Sequence, residues 1–538
     1  MSKVYPRSAL IVCPIRRYWT AKNVRQAFIE HFFNRYGYTH LPSSSLKPQN
    51  DSSLLLVNAG MNQFKPIFLN LVSEADRFLG VTNLSRAVTA QRCIRAGGKH
   101  NDLAQVGRDT YHHSLFEMLG HWSFNGTVKQ KEACRQALEL LTDTYGLSLD
   151  RLLFTYYAGA SRESDAVSVN LPPDWDAKEC WLELGVPEHQ ILPGPASENF
   201  WEMGATGPCG PSTEIHYVPR RTIRDLNVSN VKQNALDPCP FSLGHAMQHN
   251  EQVPKDQNLQ QPQSNDDQNR VSQNKLPVSE TLYGKHATLE IWNIVFITHQ
   301  RLSDGSLVEL PAAHIDTGLG LERLVAILQG SSSNYSTDIF TPLLAHVKNS
   351  LPWLPPYRDR YGVQDADGID RAYRILVDHC RAYTMAIADG IMPGQYDAGH
   401  VVRSLISRSV FQIMHLGGNP DILASLCDVV AETLHDAYPE CFEPDVLDRT
   451  KASVSECALK SKLTLQRGRR LLKKWLREQE HGWRHNVCEK DLVSLEVSKG
   501  IPHELVVELI DDYSLRDSVS LQSIYETVTN IRKLSVQK

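Results

Sequence analysis

The hydrophobic pattern of this chain changes once, near residue 325, and the change restricts the fold to two unlike halves. Before it, short apolar runs typical of β-strands recur around 85–95, 112–124, 152–157 and 288–297. After it, apolar residues follow a helical spacing in runs that proline and glycine separate, at 338–350, 370–390, 400–416, 421–437 and 446–478. We therefore predict an α+β domain over residues 21–325, followed by an all-helical domain over residues 326–538.

The α+β half opens with a predicted amphipathic helix over residues 21–36. Its apolar positions recur at helical spacing and are Val24, Ala27, Phe28, Phe32 and Phe33. Gly37 follows, where the end of a helix favours glycine. The apolar run at residues 53–60 then predicts a buried strand.

Two segments depart from this pattern. Residues 248–278 contain eight glutamines and five asparagines and no aromatic residue, so we predict a disordered insertion there. Residues 1–29 contain six basic residues, and no acidic residue precedes Glu30. This composition predicts a mitochondrial presequence over residues 1–20 and a location in the matrix, although a cytosolic protein can also begin with a basic segment.

Composition excludes several classes of protein. No apolar run approaches the roughly 18 residues that a membrane span requires. The eleven cysteines form no repeated Cys-x-x-Cys pair, which indicates reduced thiols rather than a disulfide framework or a zinc ribbon. Because the net charge is −5, a nucleic acid must meet a local basic patch. One candidate is the basic group in the last helical run, which is equally interpreted as a solvated helix surface: Arg467, Arg469, Arg470, Lys473, Lys474 and Arg477.

A predicted pair of antiparallel strands at residues 85–124, joined by a long polar loop, contains the first candidate site. Arg95 can fork onto a phosphate with two donors, so we expect it to bind the α-phosphate of a nucleotide. On the return strand, His113 and Phe116 face opposite sides by alternation, so one can reach a triphosphate while the other stacks on a base. Taken singly, each is more often a core residue or a satisfied polar residue.

The second candidate site lies at residues 314–324, which we interpret as a strand end, a Gly-x-Gly turn and a helix. Asp316 offers a carboxylate to an ammonium group, and the guanidinium plane of Arg323 can stack on a purine. The alternative is a buried helix start with a surface ion pair. A small amino acid and ATP are the ligands that the two stretches together favour.

The two stretches and the segments between them resemble the class II aminoacyl-tRNA synthetases, and more closely the alanyl-tRNA synthetase family. The resemblance runs from about residue 21 to the end of the chain. The matching segments keep the order and spacing of the family and are 58–66, 94–102, 112–113, 116–120, 199–204, 290–293 and 316–318.

The resemblance implies an antiparallel class II sheet flanked by helices, followed by a helical tRNA-recognition domain. It also implies activation of alanine with ATP and Mg²⁺, and transfer of the alanyl group to tRNA(Ala) in mitochondrial translation. The implied ATP contacts are Arg95, His113, Trp201, Ile291, Trp292, Asn293 and Gly320, with Phe116 and Arg323 on the two faces of adenine. Asp316 would pair with the ammonium group of alanine, and Asn293 would also touch the amino acid. Arg95 and Arg323 would act in catalysis by offsetting phosphate charge, without a protein nucleophile.

The chain departs from the family pattern at several places. Where many relatives have a zinc-type cysteine and histidine pattern, Cys209 is followed by Ser212, and no histidine pair follows, so we predict no structural zinc. Ala398 and Val497 replace residues that relatives use near the tRNA acceptor stem, which predicts weaker tRNA binding. The chain resembles the aminoacylating half alone, so we expect no hydrolysis of seryl-tRNA, and we expect a monomer.

Two other functions stay open at this point. One is a synthetase-like protein that binds tRNA or regulates without charging it. The other is a ligase that activates a different small amino acid. Retention of Arg95, Asn293, Asp316 and Arg323 favours an alanine-activating enzyme, because a non-catalytic relative would be free to lose them.

Overall fold

A nine-stranded sheet forms the framework of the first half, among the residues that the structure describes. The computed structural model describes residues 19–49, 51, 54–71, 83–97, 101–159, 171–204, 206–218 and 288–478, with 492–495, 498 and 505–506. The strands are β1 (Thr39–His40), β2 (Arg86–Ile94), β3 (Leu115–Ser123), β4 (Leu152–Tyr157), β5 (Ile191–Gly194), β6 (Phe200–Glu202), β7 (Gly207–Tyr217), β8 (Leu289–Arg301) and β9 (Leu307–Gly320). Their order is β1-β2-β3-β9-β8-β7-β4-β5, and β6 pairs with β7.

The centre of the sheet is antiparallel, as the sequence predicts, and only its two edge pairs are parallel. The register places Met118 opposite Gly320. It also places Asn293 opposite Gly318 on one neighbouring strand and opposite Glu214 on the other. Directly opposed residues point to the same face, so one row of side chains crosses four strands.

Helix α1 (Ala21–Glu30) covers the opposite face of the sheet. It continues as a π-helical turn, His31–Arg35, and the chain leaves it through Gly37 at a φ of +67°. The predicted helix over residues 21–36 is therefore confirmed. Its Phe28 and Phe32 rings lie 5.9 and 6.4 Å from the ring of Trp292 on β8. These aromatic contacts form the core between helix and sheet.

Within the described ranges, five further α-helices flank the sheet: α2 (Lys65–Phe68), α3 (Gln130–Glu139), α4 (Trp175–Glu183), α5 (Ala196–Asn199) and α6 (Leu321–Gln329). Helix α6 follows β9 directly and ends at Gly330, whose φ of +67° is a left-handed conformation that favours glycine. The predicted domain boundary at residue 325 therefore falls inside this helix.

The second half is helical, as predicted, over its described part up to residue 478, and each predicted run corresponds to one helix. The helices are α7 (Thr341–Ser350), α8 (Ile369–Ala388), α9 (Asp397–His415), α10 (Ile422–Leu434) and α11 (Pro444–Glu478). Residues 372–387 of α8 are all buried. This helix contacts α9 and α10 on one side and strand β3 on the other, so it lies between the two halves. Within the described ranges, the model contains no helix with both the length and the apolarity of a membrane span.

Polar contacts join the two halves at several buried points. The Tyr438 hydroxyl donates to Glu117 Oε2 over 2.6 Å, and Arg92 lies 3.5 Å from Asp389. Because buried charges destabilise a fold unless they are paired, the halves satisfy each other's polar groups as well as packing together.

The predicted strand at residues 53–60 is wrong. Val57 donates to Leu46 and accepts from Ile94, but the segment then turns away from the sheet. Its turn is stabilised by Asn62, whose Oδ1 accepts from the backbone N–H groups of Asn58 and Ala59, and a 3₁₀ helix begins at Gly60. A polar side chain that satisfies backbone donors can replace a strand partner.

The predicted Gly-x-Gly turn is also wrong, because Gly318 and Gly320 lie within β9. A Cβ atom at Gly318 would lie 2.9 Å from Met118 Sδ, so the absence of a side chain there leaves room for the Met118 thioether. Strand β7 was not predicted, since its start, residues 207–211, is rich in glycine and proline.

Some predictions fall outside the described residues, including the presequence up to residue 18 and the insertion at residues 248–278. None of the eight cysteines that the structure describes forms a disulfide, and all eight are buried, while reduced thiols stay a prediction.

Candidate active site

A cavity of about 500 Å³ opens on the face of the sheet away from α1. Nine of the ten side chains and glycines predicted as site residues line it: Arg95, His113, Phe116, Trp201, Ile291, Asn293, Asp316, Gly320 and Arg323. The structure therefore brings residues from across more than 200 positions of the sequence into one site.

Trp292 is the exception among the predicted ATP contacts. Its side chain is fully buried on the α1 side of the sheet, whereas its neighbours Ile291 and Asn293 line the cavity. Consecutive residues of a strand point to opposite faces, so the indole cannot reach a ligand in this cavity. Any contact from Trp292 is restricted to its main chain.

Asp316 is a buried carboxylate in the cavity wall. Trp122, its partner across β3 and β9, donates from Nε1 to Oδ1 over 2.6 Å. Burial raises the pKa of Asp316 to about 7, although this hydrogen bond acts in the opposite direction. A ligand cation would favour the ionised form, so this position suits an ammonium group. Sequence reasoning missed Trp122, but its alternation with Met118 on β3 was a usable signal.

Asn293 is held by a second acid that sequence reasoning missed. Its Nδ2 donates to Glu214 Oε1 over 3.3 Å, and the other oxygen of Glu214 lies 2.9 Å from His216 Nε2. Burial, and then repulsion from Glu290, raise the pKa of Glu214 to about 6 despite the histidine. The signal was absent because Glu214 lies on the unpredicted strand β7.

Arg95, the residue directly after β2, faces Phe116 on the neighbouring strand β3. The Arg95 guanidinium lies 5.1 Å from the centre of the Phe116 ring, and its Nε donates to the carbonyl of Asn58. The nitrogens at the tip of the guanidinium have the bidentate geometry that suits a phosphate. The aromatic face and the cation therefore lie side by side in the cavity.

Arg323, on helix α6, lines the side of the cavity where this helix begins. Its Nη1 donates to the carbonyl and the carboxylate of Glu290 over 2.6 and 2.9 Å, and its guanidinium lies 5.1 Å from the centre of the Tyr111 ring. Burial acts to raise the pKa of Glu290, but Arg323, His216 and Arg95 together lower it. The guanidinium plane is thus fixed in place before a base arrives.

His113 lines the cavity, but its ring is already engaged. Its Nδ1 bonds to Asp378 over 3.2 Å, and Asn334 Nδ2 donates to its Nε2 over 2.9 Å. The side chain is 2% exposed. Since Nε2 accepts and Nδ1 already donates, the ring has no N–H left for a phosphate. The predicted contact from His113 to ATP is therefore not supported by this geometry.

The adjacent His112 has the geometry that His113 lacks. Its Nδ1 bonds to Asp109 over 2.5 Å, and its side chain is 24% exposed in the cavity wall. The structure shows no partner for Nε2 among the described residues. Asp109 accepts from Nδ1 and so orients the ring.

The cavity wall contains more acidic than basic groups. Its carboxylates are Asp102, Glu198, Glu202, Glu214, Glu290, Asp316 and Glu322, against two guanidinium groups. A polyphosphate would therefore need a divalent cation as well as the arginines. The described residues contain no cluster of three or more metal-ligating side chains. Mg²⁺ does not require one, because it commonly binds through one or two carboxylates, water and substrate phosphates.

Comparison with known proteins places the chain in a family. The family model "tRNA synthetases class II (A)" matches residues 23–242 and 243–533. The chain is 39% identical to the mitochondrial alanine–tRNA ligase of Mus musculus over 93% of this chain and 44% of that one. It is 39% identical to the alanine–tRNA ligase of Candida albicans over 93% of this chain and 45% of that one. The corresponding values for the cytoplasmic enzyme of Bombyx mori are 40%, 92% and 43%.

The chain spans about half the length of the curated relatives that it matches. The matched ranges of the family model cover nearly all of the chain and include every strand and helix that forms the cavity. The antiparallel sheet and the helical half agree with the fold that the sequence motifs implied. The chain belongs to the class II (A) tRNA synthetase family.

Proposed function

We propose that this chain is an alanine–tRNA ligase, which activates alanine with ATP to alanyl-adenylate and transfers the alanyl group to the 3′ end of tRNA(Ala). The observation that carries the proposal is Asp316, a buried carboxylate held by Trp122 in a cavity whose other end presents Arg95 and Arg323. The relatives named above are alanine–tRNA ligases, which supports alanine as the amino acid.

The first step joins the two ends of the cavity. The ammonium of alanine pairs with Asp316, and the amide of Asn293 lies beside it, so the alanine carboxylate points towards the α-phosphate on Arg95. A carboxylate oxygen bonds to the α-phosphorus, the bond to the β-phosphate oxygen breaks, and pyrophosphate leaves. Arg95 and Arg323 offset the charge, and holding both substrates in line lowers the entropic part of the barrier.

The remaining side chains of the site would bind the adenine base and the metal ion. Phe116 and Arg323 would enclose adenine from two sides, and Trp201 and Ile291 would close the pocket. Mg²⁺, when bound, would neutralise phosphate charge. Glu214 is the side chain that we expect to hold it, because its raised pKa reflects a carboxylate that burial and Glu290 leave short of positive charge.

The polyphosphate end of ATP is assigned to His112 rather than His113. Asp109 orients the His112 ring through Nδ1, and the described residues include no partner for Nε2. His112 can donate to a phosphate oxygen when Nε2 carries a hydrogen, whereas both ring nitrogens of His113 are already engaged.

Transfer to tRNA would use the helical half, where α9 and the basic residues of α11 provide candidate phosphate contacts. We also propose that the enzyme serves mitochondrial translation. The curated relatives include mitochondrial and cytoplasmic enzymes, so the named compartment of several relatives supports this proposal only in part.

Alanine-dependent exchange of labelled pyrophosphate into ATP tests the activation step. We expect exchange with alanine, weaker exchange with glycine and serine, and a loss of at least about 100-fold in Arg95→Ala. Asp316→Asn should raise the KM for alanine while the KM for ATP stays within about twofold. No exchange with alanine, or full exchange by Arg95→Ala, would contradict the proposal.

A further inference from the structure

Helix α8 of the helical half forms buried hydrogen bonds with the backbone at the start of β3, the strand that carries Phe116. Asp378 on this helix is fully buried and accepts hydrogen bonds from the Ser114 backbone N–H over 3.0 Å and from His113 Nδ1 over 3.2 Å. The Ser114 hydroxyl and His379 Nδ1 also donate to it. Four donors on one carboxylate stabilise its charge, so the pKa of Asp378 lies far below its usual range although burial acts to raise it.

One helical turn later, Arg381 makes the next contacts along the same strand. It donates from Nη1 to the carbonyl of Leu115 over 3.4 Å and from Nη2 to Glu322 Oε1 over 2.9 Å. Glu322 in turn accepts from the backbone N–H of Glu117 over 3.1 Å. The main chain is therefore fixed at residues 114, 115 and 117, on both sides of Phe116.

Phe116 itself is only partly enclosed. Its ring faces the cavity and has the Arg95 guanidinium on it, whereas Glu117 points to the opposite face and pairs there with Arg25. Because the ring is only half-buried, its position depends strongly on its backbone. Glu322 also precedes Arg323, so Arg381 links the two residues that would enclose adenine.

We propose that Asp378 and Arg381 are positioning residues for the nucleotide site, which act by fixing the backbone around Phe116. The proposal rests on the proposed function, because it assigns a role in binding ATP. Neither side chain needs to touch the ligand. Removing the charge of Asp378 would leave at least one of its four donors unpaired, since an amide presents a donor where a carboxylate presents only acceptors.

The test compares Asp378→Asn with a matched control on the same helix. Asp370 is also a fully buried carboxylate of α8, but it accepts from the backbone N–H groups of Arg358 and Arg360, away from the cavity. We expect Asp378→Asn to raise the KM for ATP about tenfold and to leave the KM for alanine within about twofold. Asp370→Asn should change neither constant. Equal increases in the two variants would show general destabilisation and overturn the proposal.

A double-mutant cycle tests whether Asp378 acts through Phe116. If it does, Asp378→Asn adds less than about twofold to the KM for ATP in a Phe116→Ala background. Multiplicative effects would overturn the proposal. Ser114→Ala, which removes a single donor, provides a milder variant in case Asp378→Asn does not fold, and we expect about a threefold increase in the KM for ATP.

The same preparations separate this proposal from the proposed function. ATP binding by the full chain is measured by calorimetry without alanine, alongside alanine-dependent exchange. Wild-type protein that binds ATP but does not exchange would contradict the proposed ligase and leave the positioning role intact. Wild-type exchange with unchanged ATP affinity in both Asp378→Asn and Ser114→Ala would overturn the positioning role alone.

Discussion

Replacing Trp122 by phenylalanine would isolate the electrostatic part of amino-acid binding. The substitution keeps an aromatic ring but removes the Nε1–H that donates to Asp316 Oδ1 over 2.6 Å. This bond favours the ionised carboxylate, so its loss raises the pKa of Asp316 further above its present value of about 7. We expect weaker binding of alanine at neutral pH, because the ammonium group requires the charged form.

The magnitude follows from linkage. A hydrogen bond to a charged group contributes about 1.5–3 kcal/mol, and about 1.4 kcal/mol corresponds to a tenfold change in the ionisation constant. Taking the smaller effect, the KM for alanine in Trp122→Phe exceeds the wild-type value about tenfold at pH 6 and about fivefold at pH 7. The KM values for alanine of the wild type and of Trp122→Phe converge near pH 9, where Asp316 is ionised in both proteins. Titration of Glu214 is common to both proteins and cancels in this ratio.

Pyrophosphate exchange over pH 6–9 measures this ratio, and Trp292→Phe is the matched control. Trp292 is also fully buried, but its Nε1 has no hydrogen-bond partner among the residues that the structure describes, and its ring lies on the α1 side of the sheet. We expect the control to keep the wild-type pH profile. A ratio for Trp122→Phe that is the same at every pH would refute the reasoning, since the indole would then act through its shape.

Three further predictions concern single side chains. His121 is fully buried, and within the described part of the chain neither ring nitrogen has a hydrogen-bond partner. Burial lowers its pKa to about 3, so the folded state excludes a proton that the unfolded state binds below about 6.5. The free energy of unfolding therefore decreases as the pH falls from about 6.5 towards 3. Between pH 7 and pH 5, the free energy of unfolding of His121→Phe, measured in urea, should rise by about 2 kcal/mol relative to that of the wild type. A difference that does not depend on pH would contradict this prediction. His112→Ala should weaken ATP binding about tenfold in calorimetry and leave AMP binding unchanged, because His112 would contact only the polyphosphate; equal losses for both nucleotides would exclude that contact. Arg323→Lys should raise the KM for ATP about tenfold without changing the KM for alanine, since lysine keeps the charge but not the stacking plane; an unchanged KM for ATP would remove Arg323 from the base site.

Much of the fold could be predicted because its periodic patterns are long. The opening helix and the five helices after residue 325 bury either one face or nearly all of their surface. Burial of a helix face requires apolar residues at helical spacing, and this spacing is visible in the sequence. Strand β7 and the segment at residues 53–60 could not be assigned. Pairing with distant neighbours decides both: a bulge between Cys209 and Ser212 accommodates a proline in β7, and Asn62 turns the other segment away.

The site was predictable as a set of residues but not as a set of orientations. Motif matching identified His113 and Trp292, yet partners on helix α8 engage the first, and strand alternation turns the second to the far face. Glu214 and Trp122 were missed because their roles come from cross-strand pairing with Asn293 and Asp316. These partners lie 79 and 194 positions away along the chain, and only for Trp122 did strand alternation offer a local signal.

The buried contacts of α8 make the two halves unsuitable for independent exchange. A protein cut after residue 325 would divide α6, leave Glu322 without Arg381, and uncover the Ser114 donors that Asp378 accepts. A chimera that carried the helical half of a relative would have to import matched residues at these positions on both sides of the cut. The junction should thus resist recombination between relatives, however clearly the sequence pattern changes there.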